Sequence, residues 1–187
     1  EEAALRLDEA LQLAPDHPNY LALRGAALAR AGRVAEAVPM FRAALRHHPD
    51  SADLLENLGL ALQQPGRNQE AADAFRRALR NDPDRIESLN GLAWILATDP
   101  DAEPAQRREA VERAETACRA TEHRRPDFLD TLAAAYAAAG RFPEAIAAAR
   151  EALALLETIQ APGLAEQVGA RLELYLAEKP FAEGETP

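Results

Sequence analysis

Few residues in this chain have side chains suited to catalysis or metal binding, and their spacing favours neither. His47 and His48 are adjacent near a predicted helix end, where a cationic imidazole complements the helix dipole. Neither has a further His or Cys at ligand spacing. Asp99, Asp101 and Glu103 are acidic but lack the regular oxygen spacing of a calcium loop. We therefore expect no metal site and no cofactor.

The short motifs of enzyme chemistry are also missing from the sequence. It contains no Gly-rich phosphate loop, nucleophile elbow or zinc-binding helix pair. Cys118 is the only cysteine, so no internal disulfide can form, and it is predicted to be a small buried helix residue. These observations predict that the chain is not an enzyme and has no catalytic residues.

Composition excludes several other classes. The net charge of −10 argues against nucleic acid, because phosphate binding needs clustered Lys and Arg. Hydrophobic residues make up 48% of the 187 residues but aromatic residues only 5%, which indicates closely packed helices rather than a sheet. No apolar run is long enough to span a bilayer, and the compartment, cytoplasmic or periplasmic, stays open. Lys179 is the only lysine, a balance typical of a GC-rich bacterial gene.

A self-match at a spacing of 34 residues defines the elements that must position any binding residue. The matching sets are Leu21, Leu55 and Leu89; Gly25, Gly59 and Ala93; Gly32 and Gly66; Ala37 and Ala71; Phe41 and Phe75; Pro15, Pro49 and Pro83. A period of this length indicates stacked copies of one helix–turn–helix unit. Within a unit, Gly32 can end the first helix in the left-handed conformation, and Pro49 stops the second helix near His48.

These residues resemble the tetratricopeptide repeat family over residues 3 to about 157. The best-matching repeat supplies the family pattern as Leu55, Leu58, Gly59, Leu62, Gly66, Ala71, Phe75, Ala78 and Pro83. The resemblance implies an all-α fold: a right-handed α-solenoid of helix–turn–helix repeats with a C-terminal capping helix. It also implies a bacterial repeat protein that binds another protein.

The predicted organisation is a single solenoid over residues 1–179. Its parts are a partial repeat 1–17, repeats 18–51, 52–85, 86–125 and 126–160, and a capping helix 162–178, followed by a flexible tail 180–187. The fourth repeat departs from the period, since Ala71 and Ala110 are 39 rather than 34 residues apart, and a longer loop is expected there. Because the chain is interpreted as beginning within a repeat, an apolar edge near Leu5, Leu7 and Leu11 is expected to fray or to self-associate.

In this family the first helices of the repeats line a concave groove. Mapping the groove positions onto this chain predicts a partner-binding set of Asn19, Arg30, Asp53, Glu56, Asn57, Glu87, Asn90, Trp94, Asp127, Asp130 and Thr131. The carboxylates favour a basic or polar peptide, or they form an ordinary solvated face. Trp94 either anchors a ligand or covers the seam beside the longer loop. A clamp for terminal carboxylates is not expected, because acidic residues replace the cations it needs.

The sequence therefore predicts a non-catalytic scaffold that presents a groove to a protein or peptide partner. The alternative is a substrate-docking repeat region of a larger enzyme, such as a bacterial glycosyltransferase. The complete reading frame would separate the two.

Overall fold

A computed structural model describes residue 14 and residues 16–64 and 66–182, which contain nine α-helices and no strand. The helices are α1 (Pro18–Arg30), α2 (Val34–His47), α3 (Ala52–Leu62), α4 (Asn68–Asn81), α5 (Ile86–Thr98), α6 (Pro104–Ala120), α7 (Pro126–Ala138), α8 (Phe142–Thr158) and α9 (Pro162–Leu176). The predicted all-α repeat fold is confirmed. Most of the expected partial repeat 1–17, including the apolar edge, lies outside the described residues, as do residues 183–187 of the expected tail.

The chain divides into two compact units, Glu1–Ser88 and Leu89–Pro187, with the boundary inside α5. In the N-terminal unit, α1 to α4 pack each against the next, and α1 also contacts α3. The periodic residues form this core. A Cβ added at Gly25 would lie 2.9 Å from the Phe41 ring, and one at Gly59 would lie 2.5 Å from the Phe75 ring. The repeating Gly therefore leaves room for the repeating Phe.

The C-terminal unit replaces the repeating Gly–Phe pair by smaller residues. Here α6 packs on α7, α7 on α8 and α8 on α9, while α9 also contacts α7. At the positions of the Gly–Phe pair stand Ala93 with Ala114, and Ala133 with Ala149, all fully buried. An Ala–Ala pair replaces one very small and one large residue by two small ones, which also allows close helix packing.

Two kinds of turn begin the second helices. Gly32, Gly66 and Gly140 all have φ between 74° and 82°, the left-handed conformation that ends a helix and favours glycine. In the fourth repeat, residues 99–103 replace this turn. There the Glu103 backbone N–H donates to Gln106 Oε1 at 2.7 Å, which satisfies one donor at the start of α6.

Candidate partner-binding surfaces

The predicted groove positions of the N-terminal unit are largely open to solvent. Asn19 and Arg30 on α1 are exposed, as are Asp53 and Asn57 on α3. Leu23 and Leu60, at groove positions of the same two helices, are unusual because they are 60% and 41% exposed although large and apolar. The Asn57 amide nitrogen donates to the Asp53 carbonyl at 2.9 Å, so part of this side chain is held against its own helix.

The two carboxylates on this face share one arginine that the sequence pattern did not identify. Arg85 lies 2.6 Å from Asp53 Oδ1 through Nη1 and 2.7 Å from Glu56 Oε1 through Nη2. Ser88 donates to Glu56 Oε2 from its backbone N–H at 3.1 Å and from its hydroxyl at 2.8 Å. The hydrogen bond to Glu56 is the largest of the effects that raise the pKa of Arg85 above its usual value.

This arrangement changes the expected acidic surface. The Glu56 side chain is only 13% exposed and its charge is neutralised within the fold, whereas the Asp53 side chain stays 76% exposed beside Arg85. Glu87 and Asn90 are half-buried on α5, and Asn90 Oδ1 is buried without a hydrogen-bond partner among the described residues. Arg85 follows the Pro-Asp that closes the repeat, which is the one sequence signal that could have indicated it.

In the C-terminal unit the corresponding positions are covered. Asp130 is 4% exposed and Thr131 is 3% exposed, whereas the sequence pattern predicts that both lie on an open groove. Arg171 on α9 reaches the carboxylate with two hydrogen bonds, from Nε to Oδ1 at 2.9 Å and from Nη2 to Oδ2 at 2.6 Å. Burial raises the pKa of the Asp130 carboxyl above its usual value, against the opposing attraction of Arg171.

Beside this ion pair lies an aromatic cluster. The Trp94 and Phe181 ring centroids are 5.9 Å apart, and the Arg171 guanidinium carbon lies 5.4 Å from the centroid of each ring. Tyr175, one turn after Arg171, is fully buried, and its hydroxyl has no hydrogen-bond partner among the described residues. Burial, with a smaller effect of Asp130, raises the pKa of this hydroxyl above its usual value.

The remaining groove residue, Asp127, is half-buried and paired locally. Arg125 Nη2 donates to Asp127 Oδ2 at 2.6 Å, so this carboxylate also has a cation from its own unit. An intramolecular arginine partner is present for each of four predicted carboxylates: Asp53, Glu56, Asp127 and Asp130. The surface is therefore less strongly anionic than its sequence indicates.

Among the residues that the structure describes, the cysteine and the adjacent histidines lie apart from these surfaces. Cys118 is fully buried, and burial raises the pKa of its thiol to about 12. His47 and His48 are exposed at the end of α2. Within the described ranges, no three His, Cys, Asp or Glu side chains are placed to hold a metal ion. None of the helices that the structure describes is both long and apolar enough to cross a membrane.

The described helices follow one another in tandem pairs with small residues where they cross, which defines an α-helical repeat protein. The chain belongs to the tetratricopeptide repeat family, because that family's model matches residues 1–52, 24–86 and 57–127. No curated protein sequence matches it. This family membership supports a protein-interaction scaffold role.

Solved structures share the fold at low sequence identity. A crystal structure of MamA protein has a TM-score of 0.67 at 19% identity, covering 83% of this chain and 81% of that one. A thermophilic tetratricopeptide repeat protein of Thermus thermophilus gives 0.60 at 20% identity, with coverages of 94% and 89%. A repeat protein of Parabacteroides merdae gives 0.71 at 17% identity, with coverages of 94% and 66%.

Proposed function

We propose that this chain is a non-catalytic scaffold whose N-terminal unit binds an extended segment of a partner protein on α1 and α3. The observation that carries the proposal is the exposure of Leu23 and Leu60 on these neighbouring first helices. Large apolar side chains exposed together among polar residues are typical of an interaction surface.

The polar residues around the two leucines favour a polar or basic partner segment. Asn19 and Asn57 offer amides, and Asp53 offers a carboxylate that is 76% exposed. Arg85 already neutralises part of that charge, so the apolar contact contributes the larger share of affinity and the charge sets a preference. The partner segment we propose therefore has one large apolar residue flanked by polar or basic ones.

The test compares two variants on one peptide array. The array presents peptides with a central leucine or phenylalanine flanked by lysine, by serine or by glutamate. The double variant Leu23→Asp/Leu60→Asp should lose at least about tenfold in affinity for the best peptide, as expected when apolar anchors are removed. Ile159→Asp is the matched control, because Ile159 is 60% exposed but lies in the other unit.

Salt provides the second measurement. A preference for lysine-flanked peptides should weaken as salt rises, because exposed charges are screened beyond about 8–10 Å at physiological ionic strength. The proposed surface is wrong if the double variant and the Ile159 control bind equally well. A preference for glutamate-flanked peptides would contradict the charge assignment alone.

A further inference from the structure

We infer a second interaction surface in the C-terminal unit, formed by Trp94 and Arg171. It binds an aromatic side chain of an extended partner segment. In this structure Phe181 of the chain itself occupies it. This inference concerns a different unit from the proposed function and does not depend on it. Its starting point is the aromatic cluster, in which the Phe181 ring lies against both Trp94 and Arg171.

The cation of this surface, Arg171, is held in a fixed position. Arg171 is held by Asp130 through two hydrogen bonds, and both side chains are buried. The guanidinium group is therefore oriented before any ligand arrives. A planar cation next to an indole ring offers an aromatic guest two favourable contacts, ring to ring and cation to ring.

Residues 180–182, which occupy this surface, are held much more weakly than Arg171. The Lys179 N–H donates to the Leu174 carbonyl at 2.9 Å, and this is the last paired backbone donor of the segment within the described residues. Beyond it, Phe181 is only half-buried. Side-chain contacts without backbone pairing make residues 180–182 exchangeable, whereas α9 stays anchored by Arg171.

Space beside the segment would receive the neighbours of an incoming aromatic residue. Two cavities of about 440 and 320 Å³ lie next to Pro180, and both are lined by Arg107 on α6 and Ala138 on α7. The smaller cavity is also lined by Asp99 and Lys179, an acid and a base. One carboxylate and two cations, Asp99 with Arg107 and Lys179, make this cavity polar, so it suits polar residues on either side of the partner's aromatic one.

The experiment uses the full chain and its own fluorescence, because Trp94 is the only tryptophan. The probe is an acetylated peptide of sequence LAEKPFA, identical to residues 176–182, and the control peptide is LAEKPAA. The protein variants are Phe181→Ala, which vacates the surface, and Ile159→Ala, an exposed substitution elsewhere in the same unit. Circular dichroism and thermal unfolding verify that both remain folded.

Phe181→Ala should expose Trp94 to acrylamide and bind the phenylalanine peptide at least about tenfold more tightly than the parent, whose own segment competes at roughly millimolar effective concentration. The alanine peptide should bind neither protein, and Ile159→Ala should behave as the parent does. Equal affinity of parent and Phe181→Ala, or equal binding of the two peptides, overturns the inference. If a parent dimer instead dissociates on Phe181→Ala substitution, the occupant is a second copy and the partner assignment is wrong.

Discussion

At the residue scale, the repeating glycines of the N-terminal unit are explained by the steric clash that any larger residue would make at the same position. An added Cβ at Gly59 would meet the buried Phe75 ring, whereas Gly169 on α9 has nothing within 4 Å of an added Cβ. Both are helical, so they differ in space and not in backbone conformation. Comparing the two glycines therefore separates the effect of helix propensity on stability from the effect of packing.

Gly59→Ala should lower the free energy of unfolding by up to about 2 kcal/mol, because overpacking costs about 1–3 kcal/mol and helix propensity returns only about 1 kcal/mol. Gly169→Ala should raise it by up to about 1 kcal/mol, since only the propensity gain applies. Urea denaturation of the two variants measures both. If Gly59→Ala stabilises the fold as much as Gly169→Ala does, the Phe75 contact is not what selects glycine.

At the element scale, helix α9 shows where sequence patterns succeed and where they stop. The apolar stripe Leu164, Val168, Leu172 and Tyr175 predicts a capping helix. Arg171 lies on the same stripe, one turn from both Val168 and Tyr175, so a charge on an apolar face is visible in the sequence. Its partner cannot be named from the pattern, because Asp130 is 41 positions away and helical periodicity carries no information about long-range pairs.

Breaking this ion pair should be costly, whereas replacing it should not. Asp130→Ala leaves the buried Arg171 unpaired and should destabilise the chain by about 3–5 kcal/mol. The double substitution Asp130→Leu/Arg171→Met should restore stability to near that of the parent. Asp127→Ala, which breaks the more exposed pair with Arg125, is the control and should cost about 1 kcal/mol or less.

Chemical denaturation monitored by far-ultraviolet circular dichroism, which measures helix content, gives all three values. Equal losses for Asp130→Ala and the double variant would mean that the ion pair is stabilising in itself. A small loss for Asp130→Ala would mean that α9 does not depend on this anchor.

At the scale of the whole molecule, one ion pair recurs with the repeat. An arginine directly after the turn glycine bonds to a glutamate in the first turn of the second helix, in the pairs Arg33–Glu36, Arg67–Glu70 and Arg141–Glu144. The hydrogen bond from arginine holds the pKa of each glutamate below its usual value. These pairs lie in both compact units.

A folded-state pKa below the unfolded one contributes stability above the unfolded value, near 4.5 for glutamate, and that stability is lost as pH falls through the folded value. The midpoint temperature of thermal unfolding should therefore decrease as the pH is lowered below 4.5. The decrease should be smaller in the triple variant Glu36→Gln/Glu70→Gln/Glu144→Gln. The control is Glu166→Gln/Glu173→Gln, whose carboxylates form no ion pair within the described residues. Identical acid profiles for the triple variant and the parent would contradict the prediction.

Much of this architecture is predictable because it repeats. The period of 34 identifies the helices and their crossings, since Leu21, Gly25 and Phe41 recur wherever the same contacts recur. The binding face is less predictable. Groove position alone predicts that Asp53 and Asp130 are both exposed, but only the first is, because α9 covers the second. That difference arises from the one helix that follows no repeat.

The loop between α5 and α6 has a consequence for how such a chain can change in length. The repeat is five residues longer here, since Leu92 and Ala110 are 18 positions apart where Leu58 and Ala71 are 13 apart. The loop itself spans residues 99–103, and both flanking helices keep their buried positions. Ala102 is buried at 5% exposure, whereas Asp99, Pro100 and Asp101 before it are exposed. Only one residue of the loop is thus fixed by packing. Insertions or affinity tags placed between Asp99 and Asp101 should be tolerated, which makes this loop the natural point for extending the protein without shifting the register of any repeat.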